Sequence, residues 1–240
     1  MRTMLLAATG LVLLALAALP VPARAGAEVG DWDADQIRQA EKDFAWLSPP
    51  MRKPLYRAEP FPDGVKGLLV SSLPPREGWL LPVGTPPAMQ ARYNAYCLPD
   101  AVVLAQTEDS RSVLASEDKA ILTRTRLRVL DVIKAPPALS AGDQIAVVRY
   151  GGEVVARGER LRVRDDSWSD FSPGHVYLLK LQAVNHPGMA HYFNLLYSEA
   201  AVSDKKLARE WSGFAAGTPY ADIKAELARI PTRFACPAPK

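Results

Sequence analysis

Between residues 101 and 198 the chain carries six strand-length runs and no segment with a helical period. They fall at 101–107, 121–134, 144–150, 159–164, 175–184 and 191–198, with Gly, Pro, Asp and Ser clustered between them. Period-two alternation bounded by turn residues is the mark of a strand. A parallel sheet needs long crossovers, usually helical, between successive strands, and none is present here. The expected class is therefore mainly β, as a small antiparallel barrel or sandwich.

The flanks read differently. Ala34, Ile37, Ala40, Phe44 and Leu47 recur at three and four, predicting an amphipathic helix capped by Asp33 or Asp35 and ended by Pro49 and Pro50. From 51 to 87 the chain is rich in Pro and Gly, with one strand-like run at 65–71, as in an extended arm lying on the domain. Thr85, Pro86 and Pro87 suit the start of a helix running to about Cys97. Residues 205–214 are expected to form a short helix. A second is expected to be capped by Thr218 with Pro219 in its first position, carries Tyr220, Ile223, Leu227 and Ile230 on one face, and stops at Pro231.

The first 25 residues read as a secretory leader: Arg2, an apolar stretch from Met4 to Leu19, then Pro20, Pro22 and Ala23-Arg24-Ala25 before Gly26. The alternative is a retained anchor, but about sixteen apolar residues fall short of the roughly 20 that span a bilayer. No Cys follows the leader, which argues against a lipid anchor, and no later segment approaches spanning length. The expected location is periplasmic or secreted, with no transmembrane span after cleavage. Losing Arg2 and Arg24 leaves 27 basic against 26 acidic residues, so no global charge points to nucleic acid. Cys97 and Cys236 are the only cysteines, and an even pair in an oxidising compartment usually bonds. Two buried thiols or an intermolecular bridge are the alternatives.

Motifs for known chemistries are missing. The chain has no G-x-S-x-G, P-loop, H-E-x-x-H or dinucleotide fingerprint. Asp31, Asp33 and Asp35 mimic a calcium loop, but Gln36 and Lys42 stand where glycine and a bidentate glutamate belong. His186 and His191 flank Pro187-Gly188, yet two imidazoles lack the further ligands a structural zinc takes, and His175 reads as exposed. No metal and no cofactor are expected. Asp165, Asp166 and Asp170, with a histidine, would serve a hydrolase; beside Ser167, Ser169 and Pro173 they read as a solvated loop. Trp32, Trp46, Trp79 and Trp211 fall in the flanks as covering residues, and Trp168 stands alone in a loop.

The most informative pattern is an alternation of arginines. Arg124, Arg126 and Arg128 share one face of the long strand opposite Ile121, Thr123, Thr125, Leu127 and Val129. Arg160, Arg162 and Arg164 repeat it, alternating with Leu161 and Val163. The two triplets are expected to make one basic patch for an anionic partner such as a lipid headgroup, an envelope polymer or an acidic protein face. An ordinary charged outer face neutralised by Glu117, Asp118 or Glu153 is the alternative.

Cys97 with Asp100 to Val103, the long strand from Thr123 to Lys134, Gly142-Asp143 before Ile145 and Val147, Gly151-Gly152, and Pro173-Gly174 before Val176 to Leu179 form a pattern over about 90 residues. It resembles a secreted bacterial OB-like barrel family, related in plan to netrin-like domains and tissue inhibitors of metalloproteinases. The resemblance implies an OB-like barrel at 97–200, after a helix and Pro-rich arm at 26–96 and before a helical tail at 201–240. Those inhibitors grip a catalytic zinc through a Cys-x-Cys at the mature N-terminus. Cys97 stands alone and some seventy residues inside, so that activity is not carried over. The expectation is a non-catalytic binding or envelope-associated module.

Overall fold

The computed structural model describes residues 32–44, 55–70, 81–82, 84–115, 119–165, 171–184, 189, 191–195 and 199–236. The leader, Asp31, Trp46, Leu47, Trp79, Glu117, Asp118, Asp166, Trp168, Asp170 and His186 lie outside them. Helix α1 spans Ala34–Phe44. Its start is a capping box: Gln36 N donates to Asp33 Oδ1 at 2.8 Å, and Asp33 N donates to Gln36 Oε1 at 3.3 Å. A 3-10 turn at Leu55–Arg57 and strand β1, Lys66–Val70, follow. Helix α2, Pro87–Cys97, opens on its proline as expected, since an N1 proline lacks an N–H the helix could not use.

Eight strands come next: β2 Ala101–Ala115, β3 Ala120–Lys134, β4 Gln144–Tyr150, β5 Gly152–Ala156, β6 Glu159–Asp165, β7 Val176–Ala183, β8 Tyr192–Leu195 and β9 Ala200–Ser203. The short β10, Lys206–Leu207, precedes α3, Tyr220–Ala228, and the four-residue α4, Ile230–Arg233. The protein is mainly β. Among the described residues no helix is long and apolar enough to cross a membrane.

The larger sheet runs β10-β9-β7-β2-β3-β4-β8, and β8 pairs a second time with β7. Pairing thus returns on itself through β7, β2, β3, β4 and β8. Five strands in such a cycle cannot all be antiparallel, and the parallel pair falls between β4 and β8. The smaller sheet runs β1-β6-β5; the arm supplies β1, which pairs parallel with β6.

Alternation buries both faces of the cycle. Val103, Ala105, Leu127, Val129, Ile145, Val147, Tyr177, Leu179, Leu181 and Phe193, all at odd positions, share one apolar cluster. Even positions Val102 and Leu178 face a second cluster with Tyr93, Trp211, Phe214, Ile223 and Leu227 from α2, α3 and the tail. Ala146, Val148 and Tyr150 face a third, under Ala40 of α1 and Leu161 and Val163 of β6. Cys97 and Cys236 are bonded, with Cα atoms 5.2 Å apart across a separation of 139 residues. The bridge ties the tail to the end of α2.

Three expectations for the tail are corrected. Thr218 does not cap α3: Pro219 holds the N-cap position with no side-chain capping bond, and Thr218 Oγ1 donates instead to the Ala215 carbonyl at 2.7 Å. Residues 205–214 are not helical: Asp204, Lys205, Ser212 and Gly213 have φ of 49°, 60°, 48° and 78°, which turn the chain tightly. Pro231 does not stop the last helix but sits in the first turn of α4, where a missing N–H costs nothing.

Candidate functional site

The two arginine triplets lie in different sheets. Strand β3 pairs with β2 and β4, whereas β6 pairs with β1 and β5, so no ladder joins them. On β3, Arg124 is only 2 % exposed. Arg126 bonds Asp109 from Nε at 2.7 Å and also through Nη2. Arg128 Nε donates to Glu108 at 2.9 Å and its Nη1 to the Gly142 carbonyl at 3.0 Å. Consecutive strand residues normally point to opposite faces. Glu108 and Asp109 reach the same arginine row because β2 is bulged between Thr107 and Asp109.

On β6 the arrangement is more open. Arg160 and Arg162 each donate from Nε to Glu153 of β5 at 2.8 Å, and Arg162 Nη1 reaches Asp63 at 2.6 Å. The bonds from Arg160 and Arg162 hold the Glu153 carboxyl below its ordinary range, and the bond from Arg162 does the same for Asp63. The Arg162 guanidinium also lies 5.6 Å from the Phe61 ring centroid. Leu161 and Val163 turn inward to the core. Arg160 pairs directly with Val155, and Arg164 with Leu69. These two apolar neighbours are 74 % and 55 % exposed. The outer face of the small sheet therefore presents three arginines beside exposed aliphatic surface.

Asp165 ends β6 in a buried position opposite Val70, while His175 is exposed and His191 half-buried. Asp166, Asp170 and His186 lie outside the described residues. Among the described residues no group of three or more His, Cys, Asp or Glu is placed to hold a metal ion.

A second constellation was not read from the sequence. Lys180 sits in the middle of β7, opposite Val102, at an even position facing the helical cover. It is 9 % exposed. Its Nζ donates to Ser212 Oγ at 3.0 Å and lies 5.3 Å from the Trp211 ring centroid. Burial pushes the Lys180 ammonium down to about 8, against the opposing pull of Glu199. Glu199, 1 % exposed, accepts from Arg209 Nη2 through Oε1 at 3.0 Å. Its buried Oε2 accepts no hydrogen bond among the described residues.

Ser212 and Gly213 are the central pair of a tight turn, flanked by Trp211 and Phe214, which exchange both backbone hydrogen bonds at 2.9 Å. With both φ values positive, it has the form that favours Asn-Gly. Gly213 cannot be replaced: a Cβ there would stand 2.6 Å from the Ala88 carbonyl of α2. Arg92 of α2 clamps the turn, donating to the Gly213 carbonyl at 3.0 Å with its guanidinium 4.4 Å from the Phe214 ring centroid. One signal for this cluster was available: a lysine inside the otherwise apolar run Val176-Tyr177-Leu178-Leu179-Lys180-Leu181. A search of protein-family models and one of curated proteins each found no match to this chain.

Proposed function

We propose that the chain is an exported binding module, built on an OB-like barrel, that engages an anionic partner through the outer face of its small sheet. The cycle of pairings through β7, β2, β3, β4 and β8, filled by alternate apolar side chains, supports the barrel reading. The secretory-type leader and the Cys97–Cys236 bond support export.

One observation carries the binding reading: Arg160, Arg162 and Arg164 share a solvent-facing row with exposed Leu69 and Val155. Glu153 and Asp63 hold the Arg160 and Arg162 guanidinium groups in place on that face. Arginine is suited to phosphate and carboxylate groups through paired N–H bonds, and adjoining apolar surface adds contact area. Both rows have two arginines engaged by acids, but on β3 Arg124 is buried, whereas on β6 Arg160 and Arg164 are exposed.

The test is salt-sensitive retention on an anionic matrix and on vesicles containing anionic lipid. Arg160→Glu with Arg164→Glu should abolish retention and leave thermal unfolding nearly unchanged, since neither position is buried. Unaltered retention of the double variant refutes the assignment.

A further inference from the structure

The Lys180–Ser212 pair carries chemistry that an anion-binding face does not use. The two groups come from separate parts of the chain, β7 and the tail, and meet at 3.0 Å. Ser212 is half-buried and so open on one side, whereas Lys180 lies beneath Trp211. A solvated lysine is charged at neutral pH and cannot take a proton. Burial lowers that obstacle without removing it, because it disfavours the charged form. Ser212 also occupies a left-handed conformation, φ 48°, where glycine or asparagine would be less strained. Strain at a position whose hydroxyl meets a buried amine is the pattern of a positioned reactive group.

We propose that Ser212 is a nucleophile, activated by Lys180 as general base, that accepts an acyl group from an ester. Neutral Lys180 Nζ takes the hydroxyl proton as Ser212 Oγ bonds to the ester carbonyl carbon. The carbon–oxygen bond to the alcohol then breaks, and the alcohol departs with the proton from Lys180. An acylated Ser212 and a free alcohol result, with no oxidant or metal required. The Ser212 and Gly213 N–H groups stand outside the ladder between Trp211 and Phe214, and backbone donors of this kind stabilise a developing oxyanion. Glu199, immediately before β9, favours the protonated form of Lys180 once it has taken the hydroxyl proton. The depressed ammonium, at about 8, leaves a neutral fraction near neutral pH. The inference does not depend on the anion-binding reading, because it uses none of the β6 arginines.

The full chain with its disulfide intact is incubated with p-nitrophenyl acetate. Nitrophenolate release is followed by absorbance, and the acetylated residue by peptide mass mapping. The expected result is one acetyl group per chain on Ser212, with a rate rising through pH 8. Ser212→Gly, which suits the turn, should retain the fold and lose the adduct. Lys180→Met should slow acetylation of Ser212 by about 100-fold, the usual weight of a general base. If that variant does not fold, the wild-type pH profile decides: a midpoint near 8 supports the base, and a rate flat from pH 7 to 9 overturns it. Acetylation on Lys180 in place of Ser212, or equal labelling of wild type and Ser212→Gly, also overturns the proposal.

Discussion

Replacing Lys180 by methionine removes a buried ammonium ion while keeping a long, unbranched side chain. Burial drives this group down to about 8 from its ordinary 10.5, and Glu199 offsets only part of the effect. The native protein therefore loses this proton at lower pH than the unfolded chain. Between those two values the unfolded chain binds one proton more, so stability rises with pH. Below pH 8 both states hold the proton and the whole penalty is present. At about 1.36 kcal/mol per unit the penalty is about 3 kcal/mol, of which about 2.5 kcal/mol is relieved between pH 7 and 10. Lys134 is lowered by burial as well, and Tyr220 is raised by burial and by Asp131, which costs stability above pH 10. Wild type alone therefore reports a sum, and its difference from the variant isolates Lys180. Urea unfolding of both proteins at pH 7, 8, 9 and 10 measures that difference. The variant's stability relative to wild type should fall by about 2.5 kcal/mol across the series, independent of any constant change in packing. Parallel profiles would refute the claim that Lys180 is charged and buried in the native protein.

Three further outcomes follow from the packing. Gly152 has φ 133°, and a Cβ there would stand 2.2 Å from Thr123 Oγ1 and 2.4 Å from Ser112 Oγ; Gly152→Ala should cost about 2 kcal/mol or more in urea unfolding. Cys97→Ser with Cys236→Ser opens a loop of 139 residues and should cost about 2–5 kcal/mol, seen as a lower melting temperature that reductant no longer changes. Tyr220 donates to Asp131 at 3.0 Å beside Lys224 at 2.7 Å, so Tyr220→Phe should weaken the docking of α3 on β3 by about 1 kcal/mol in the same unfolding assay.

Much of the architecture was legible because strand alternation is a local property. The runs at 121–134, 144–150 and 159–164 overlie β3, β4 and β6, and Thr85-Pro86-Pro87 marks the start of α2. The extent of β2 was not legible. Its outer half, from Glu108 to Ser112, is polar, and only pairing with β3 holds it extended. Strand β5 was hidden for a similar reason, since Gly151-Gly152 reads as a turn and the strand exists by pairing with β6. The tail misled because Lys205 to Phe214 has helical composition. Its conformation is decided by the turn at Ser212-Gly213 seated against Ala88.

The arginine rows show the same division. Period two alone placed Arg160, Arg162 and Arg164 on one face, because a strand cannot do otherwise. Whether that face met the β3 row depended on strand order, which alternation within a strand does not encode. The structure put the rows in separate sheets and supplied each with acids from neighbouring strands. Local pattern set which residues share a face. Only tertiary structure decided that Lys180 meets Ser212, because 32 residues separate them and their contact arises from packing the tail over β7.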